Sequence, residues 1–174
     1  MIEIPASKAW TLQSPRLGLT PMVQADAPDL FALPKEPSLH EFSTDPPPAS
    51  ADDVRERIRG WETRRSPTSD ELWLNWTLRL GQGGLAVGYV QATVSDDAAE
   101  LAWVIGAPFQ RQGYATEAAQ CVAAWILGYF QVAELRASIP LGHTASQRVA
   151  AHLGLQPSGE LTHEGEELWI TRYS

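Results

Sequence analysis

Glu100-Leu101-Ala102-Trp103-Val104-Ile105, followed after Pro108 by Gln110-Arg111-Gln112-Gly113-Tyr114-Ala115-Thr116-Glu117-Ala118-Ala119, decides the fold of this 174-residue chain. The first segment has strand length and ends at Gly106. The second opens a long apolar stretch, Gln112 to Gln131, in which Ala118, Val122, Trp125, Ile126 and Tyr129 share one helical face. A strand therefore feeds a helix through a turn that contains Gly113. The first N–H groups of a helix have no partner in the helix itself, and the macrodipole adds about half a positive charge there. Gly113 removes the Cβ that would obstruct an approaching anion, and Arg111 can add a charge-assisted contact. A Gly at this spacing is common in any sequence; its place between a strand and a helix gives it meaning.

Upstream, Arg16 to Met22 reads as a first strand, and Asp26 as the N-cap of a short helix with Pro28 and Leu30 in its first turn. Leu33 to Ser50 holds five prolines and reads as an irregular connection. Ser50-Ala51-Asp52-Asp53 resembles a capping arrangement opening a helix to about Arg64, with Val54, Ile58 and Trp61 on one face. Glu71 to Leu80 places Leu72, Leu74, Trp76, Leu78 and Leu80 on one side, and Gln82-Gly83-Gly84 turns the chain into Leu85 to Val94. Ser95-Asp96-Asp97 leads on to Glu100–Ile105, completing a three-stranded antiparallel meander.

Downstream, Glu134 to Ile139 reads as a strand and Thr144 to Leu153 as a helix ended by Gly154. After a polar turn, Glu167 to Tyr173 reads as a last strand. A meander followed by helix, strand, helix and strand predicts a mixed α/β (α+β type) fold, with a mostly antiparallel central sheet flanked by helices. A dinucleotide-binding Rossmann domain is disfavoured by the hairpins before the cradle and by the absence of G-x-G-x-x-G spacing. With no repeats and no composition break, residues 1–174 read as one domain.

The formal charge of −8 argues against a general nucleic-acid binder, so an anionic ligand must be held locally. The longest apolar run, Val122 to Leu127, is far short of the roughly 20 residues that span a bilayer, and the amino terminus lacks a secretory apolar segment. The expectation is a cytoplasmic protein with no membrane partner. Cys121, the single cysteine, sits among Ala118, Val122 and Trp125 and reads as packing; His40 and His152 have no metal-ligand spacing. No metal is implied. An apolar helix and Trp-rich strands leave room for a symmetric homodimer.

Beyond this reading, the segment Glu100–Ile105, Pro108 and Gln110–Ala119 resembles the acetyl-CoA signature of the GNAT superfamily of N-acetyltransferases. Within that superfamily the likeness is to the group containing the ribosomal-protein N-terminal acetylating enzymes. Ser146-Gln147-Arg148-Val149 with Gly154-Leu155 resembles a second family motif, and Ser14-Pro15-Arg16-Leu17 the usual opening. The resemblance implies acetyl-CoA as co-substrate and an amine acceptor, a protein N-terminus or a small molecule. It implies that the backbone of Trp103, Val104 and Ile105 pairs with the pantetheine arm. It further implies that N–H groups of Arg111, Gln112, Gly113, Tyr114, Ala115 and Thr116 hold the pyrophosphate. Strands four and five, counted from Arg16–Met22, splay apart in this family, which exposes N–H groups on Glu100–Ile105 that can stabilise an oxyanion. Where the family usually has Asn, this chain has His143, whose imidazole still donates to a carbonyl or phosphate.

Glu100, at the entrance of the cofactor strand, is the favoured general base, with Glu164 or His163 as alternatives in the turn before the last strand. The resemblance points to Ser146 as general acid to the departing thiolate; a hydroxyl bonded back to the preceding helical turn is the other reading. The tyrosine acid used by many relatives has no counterpart, since Ala150 and Ala151 stand on that helix. Trp61, Trp73 and Trp76 fall where they border an acceptor groove or pack in the core. A catalytically silent acyl-CoA-binding module is the competing function, resting on His143.

Overall fold

The computed structural model describes residues 2–33, 46–68 and 70–173. Its elements, in chain order, are β1 (Leu12–Gln13), β2 (Leu17–Pro21), α1 (Ala27–Ala32), α2 (Ala51–Trp61), β3 (Leu72–Leu80), β4 (Ala86–Val94) and β5 (Ala98–Ile105). There follow α3 (Tyr114–Phe130), β6 (Glu134–Pro140), α4 (Thr144–His152), β7 (Gln156–Leu161) and β8 (Glu166–Arg172). The strands form one sheet in the order β1-β2-β3-β4-β5-β6-β8-β7, antiparallel throughout except for β5 and β6, which α3 connects.

That parallel pair is short. Its register runs Ala98 to Glu134, Ala99 to Leu135 and Glu100 to Arg136, after which β5 continues to Ile105 and β6 to Pro140 without pairing. β4 stays paired with β5 as far as Ile105, and β8 with β6 along its length, so each diverging strand is held on its outer side. These are the splayed fourth and fifth strands of the expectation; the two-residue β1 shifts the count by one.

The two faces of the sheet differ chemically. Leu72, Leu74, Trp76 and Leu78 are fully buried and join Val90, Ala92, Val94, Ala99 and Leu101 against Ala118, Val122 and Ile126 of α3. The intervening positions are mostly polar, and the register aligns Trp73 with Thr93 and Glu100, and Asn75 with Gln91 and Ala102. This second face lies toward α1 and α2, whose Leu30 and Ile58 form a smaller cluster with Met22, Ala27 and Leu33. Val54 and Trp61 pack on that cluster, as their shared face predicts.

α2 opens as its sequence foretells: Asp53 N–H donates to Ser50 Oγ (3.1 Å), and Asp53 Oδ2 accepts from Ser50 N–H (3.1 Å). It ends at Trp61, not near Arg64, because Arg64 takes a left-handed conformation (φ 60°) that turns the chain toward β3. Asp26 flanks α1 but caps it with no side-chain bond. Its carboxylate is buried and accepts instead from Val23 N–H, the Thr77 hydroxyl and Arg79. On α3, Tyr129 is 48% exposed and stacks on Trp125 at the rim of the apolar face. Much of the proline-rich connection, residues 34–45 including His40, lies outside the described residues. The polar stretch before the last strand holds a further strand, β7, whose residues are nearly all exposed and therefore lack an alternating pattern.

Candidate active site

The turn from β5 to α3 adopts the conformation its sequence calls for. Gly113 is the N-cap of the 17-residue helix at φ 83°, and no side chain caps it. The N–H groups of that first turn are left without the usual side-chain partner. Two residues before it, Arg111 is also left-handed at φ 60°. Alternation of left- and right-handed residues curls backbone N–H groups into a concave nest suited to an anion.

A pocket of roughly 540 Å3 opens beside this turn, between the amino ends of α3 and α4. Trp103, Val104 and Ile105 line it, as do Arg111, Gly113, Tyr114, Ala115, Thr116, His143 and Ser146. The sequence candidates for cofactor binding thus converge on one cavity, with the exception of Gln112. Gln112 faces away: its carbonyl accepts from Arg16 Nη1 (2.9 Å) and its amide donates to Pro108 O (3.2 Å). Arg148 lines the same pocket, so two guanidinium groups border it in a chain of net charge −8.

His143 is the N-cap of α4, and its Nδ1 accepts from Ser146 N–H at 3.1 Å. An asparagine at an N-cap performs the same task with its carbonyl oxygen. An unprotonated Nδ1 makes Nε2–H the donor of the neutral ring. Ser146 Oγ makes no hydrogen bond among the described residues, so the back-bonded alternative is not adopted.

A second, smaller cleft of roughly 230 Å3 lies on the polar face, lined by Trp61, Trp73, Asn75, Gln91, Thr93 and Glu100. Trp76 is absent from it and lies in the core, its indole N–H donating to Trp10 O (2.7 Å). Gln91 Nε2 donates to Asn75 Oδ1 (2.7 Å) across β3 and β4. Glu100 Oε1 accepts from Ser138 Oγ (2.7 Å), and Oε2 lies 3.3 Å from Arg136 Nε. That second contact is an ion pair by distance only; Arg136 Nε has no hydrogen bond of good angle.

The two cavities meet β5 in successive halves, the cleft along Glu100–Ala102 and the pocket along Trp103–Ile105, where pairing with β6 has ceased.

A carboxylate that the sequence reading passed over stands near Glu100. Pro140 pairs with Glu166 and Arg136 with Ile170, so strand alternation puts Glu166 on the same face as Arg136 and its partner Glu100. Burial, then the charges of Glu164 and Glu100, push the Glu166 carboxyl above its ordinary value. Its side chain receives no hydrogen bond among the described residues. His163 is 93% exposed at the tip of the β7–β8 turn and lies 3.8 Å from Glu164. Cys121 is half-buried, and burial followed by the Glu117 charge raises its thiol. Among the described residues no group of three or more His, Cys, Asp or Glu is arranged to hold a metal ion, and no helix is long and apolar enough to cross a membrane.

A model of the acetyltransferase (GNAT) domain family matches residues 16–156, and the chain belongs to that family. Similar solved structures include the GNAT-family acetyltransferase from Bacillus anthracis, with TM-score 0.76, 16% identity, and coverage of 92% of this chain and 97% of that one. The ribosomal L7/L12 alpha-N-protein acetyltransferase RimL, solved in complex with coenzyme A, superposes with TM-score 0.77 at 15% identity, covering 91% of this chain and 95% of its own. The ribosomal-protein-S5-alanine acetyltransferase from Vibrio fischeri gives TM-score 0.73 at 13% identity, with 90% and 92% covered. At such identities the likeness speaks for the fold. No curated protein matches the chain in sequence.

Proposed function

We propose that this protein transfers an acetyl group from acetyl-CoA to a primary amine by direct attack within a ternary complex. The observation that carries the reading is that two cavities line successive stretches of β5, Glu100–Ala102 and Trp103–Ile105, where its pairing with β6 ends. One is bordered by an uncapped helix terminus, a left-handed glycine and two arginines; the other is bordered by carboxylate and tryptophan. The first set fits a pyrophosphate, which needs N–H donors, close backbone approach and positive charge. Acetyl-CoA supplies the activated acyl carbon. The edge of β5 left unpaired by β6 at Trp103–Ile105, where the Ile105 carbonyl accepts from Gln110 Nε2 (3.1 Å), offers its remaining N–H and C=O groups to the amides of the pantetheine arm and a donor to the developing oxyanion.

The acceptor is a protein N-terminal α-amine or a small-molecule amine. At pH 7 an α-amine with pKa near 7.7 to 8.0 costs about 1 to 1.4 kcal/mol to deprotonate, a lysine amine about 4.6 kcal/mol. A modest base suffices for the first. Glu100 lines the cleft but is already engaged by Ser138 and Arg136, whereas Glu166 lines neither cavity, accepts no hydrogen bond among the described residues and is raised in pKa, so Glu166 beside Glu100 is the proposed proton acceptor. Ser146, with its hydroxyl unengaged in the pocket, is the group to protonate the departing thiolate. Cys121 offers no ping-pong route, because burial disfavours its thiolate. The ground for a silent binding module was His143, and capping α4 gives that residue a structural reason.

The test is release of free CoA thiol from acetyl-CoA over a panel of peptide α-amines, amino acids and polyamines. Turnover with at least one acceptor, reduced in Ser146→Ala at unchanged CoA affinity, is the expected result. Tight binding without turnover across the panel would favour the silent module.

A further inference from the structure

The opening motif Ser14-Pro15-Arg16-Leu17 lies at the start of β2, yet its side chains reach the amino end of α3. Arg16 Nε donates to Glu117 Oε2 (2.6 Å), Arg16 N–H to Glu117 Oε1 (2.8 Å), and Ser14 Oγ to the same oxygen (2.6 Å). Arg16 Nη1 donates to the carbonyl of Gln112 (2.9 Å), and the guanidinium lies over the Tyr114 ring at 4.5 Å. Glu117 is largely buried. Burial alone would raise its carboxyl; the hydrogen bonds from Ser14 and Arg16 and the guanidinium charge outweigh that and hold it below the ordinary carboxylate value.

We infer that Ser14, Arg16 and Glu117 form a clamp that sets the backbone of the phosphate cradle, with Arg16 as a positioning residue for the pyrophosphate of CoA. The inference rests on the acetyl-CoA reading above. The carbonyl that Arg16 holds belongs to Gln112, the residue between the two left-handed positions Arg111 and Gly113. A non-glycine residue in that region costs on the order of a kilocalorie and persists only where its surroundings impose it. The bond to Gln112 O fixes the peptide plane between them, and with it the direction of the N–H groups at the helix start. A Cβ at Gly113 would lie in ordinary contact with Arg16 Nη2, at 3.4 Å, which places the guanidinium beside the turn. Glu117, one turn into α3, anchors that guanidinium to the helix whose terminus it orients. Sequence separation hides this arrangement, because β2 and α3 are brought together only by the finished sheet.

The test measures CoA binding by titration calorimetry, with thermal melting in parallel, for wild type, Arg16→Ala, Arg16→Lys, Glu117→Gln and the double variant Arg16→Lys/Glu117→Gln. Well below its melting temperature, a protein whose stability alone has fallen remains folded and binds with the wild-type Kd. A positioning role predicts instead a Kd raised roughly tenfold to a hundredfold in Arg16→Ala. Arg16→Lys keeps the charge but loses the fork that joins Glu117 to Gln112, so it should lose most of the same affinity. The double variant should bind no more weakly than the worse single one, since the residues act as a unit. Folded Arg16→Lys and Glu117→Gln proteins that bind CoA as wild type does would overturn the clamp, whether or not Arg16→Ala folds. Absence of CoA binding by wild type would remove the clamp together with the cofactor reading.

Discussion

Gly113 bears two demands, a left-handed φ of 83° and an open approach to the helix terminus. Gly113→Ala keeps the space but not the torsion, and should cost about 1 kcal/mol, read as a fall of roughly 2–4 °C in Tm, with weaker CoA binding. Glu166 makes a pH-dependent prediction. Its folded pKa is raised above the ordinary 4.5, so the fold binds this proton more tightly than the unfolded chain does. Its contribution is fully present below about the ordinary value and is lost as pH rises through the folded pKa. Glu166→Gln, which mimics the protonated form, should therefore melt higher than wild type at neutral pH and equal to it near pH 3.5. If Glu166 is the base, Glu100→Gln removes one of the charges that raise its pKa, and the acid limb of the kcat/KM profile moves to lower pH. Loss of activity at every pH in Glu100→Gln, with activity kept in Glu166→Gln, would return the role to Glu100.

Among the elements, α4 owes its start to an imidazole. His143→Asn should keep the cap and leave Tm nearly unchanged, while His143→Ala loses it at about 1 kcal/mol; equal melting of Ala and Asn variants would count against the cap. The elements legible in the sequence are those with a one-sided pattern. β3 announces itself through Leu72, Leu74, Trp76 and Leu78, and α2 through the Ser50–Asp53 box. β7 does not, because Gln156–Leu161 buries neither face and pairs irregularly between Pro157 and Leu161. Asp26 misleads for a related reason: a carboxylate before a helix reads as a cap until Arg79 and Thr77 are folded against it. The cradle is local chemistry of one turn and can be read from a dozen residues. Glu166 is indistinguishable from its neighbours in the acidic run until its register with β6 assigns it a face. The Arg16–Glu117 pair likewise exists only in three dimensions.

Across the whole molecule, the sheet separates two environments, and both line β5, the strand that parts from β6. The acidic chain gathers Arg111 and Arg148 around one cavity and Glu100 with two tryptophans around the other. An electrostatic contribution to the first predicts CoA affinity that falls as salt rises, since exposed charges are screened over about 8–10 Å near physiological ionic strength. The central claim is that the turn after β5 binds acetyl-CoA. Titration of acetyl-CoA into wild type beside Gly113→Trp tests it most directly, because a bulky side chain at this left-handed position strains the turn and crowds the Arg16 guanidinium beside it. Saturable binding by wild type that is lost in a folded Gly113→Trp protein is the predicted result; no binding by folded wild type, or equal binding by both, would contradict it.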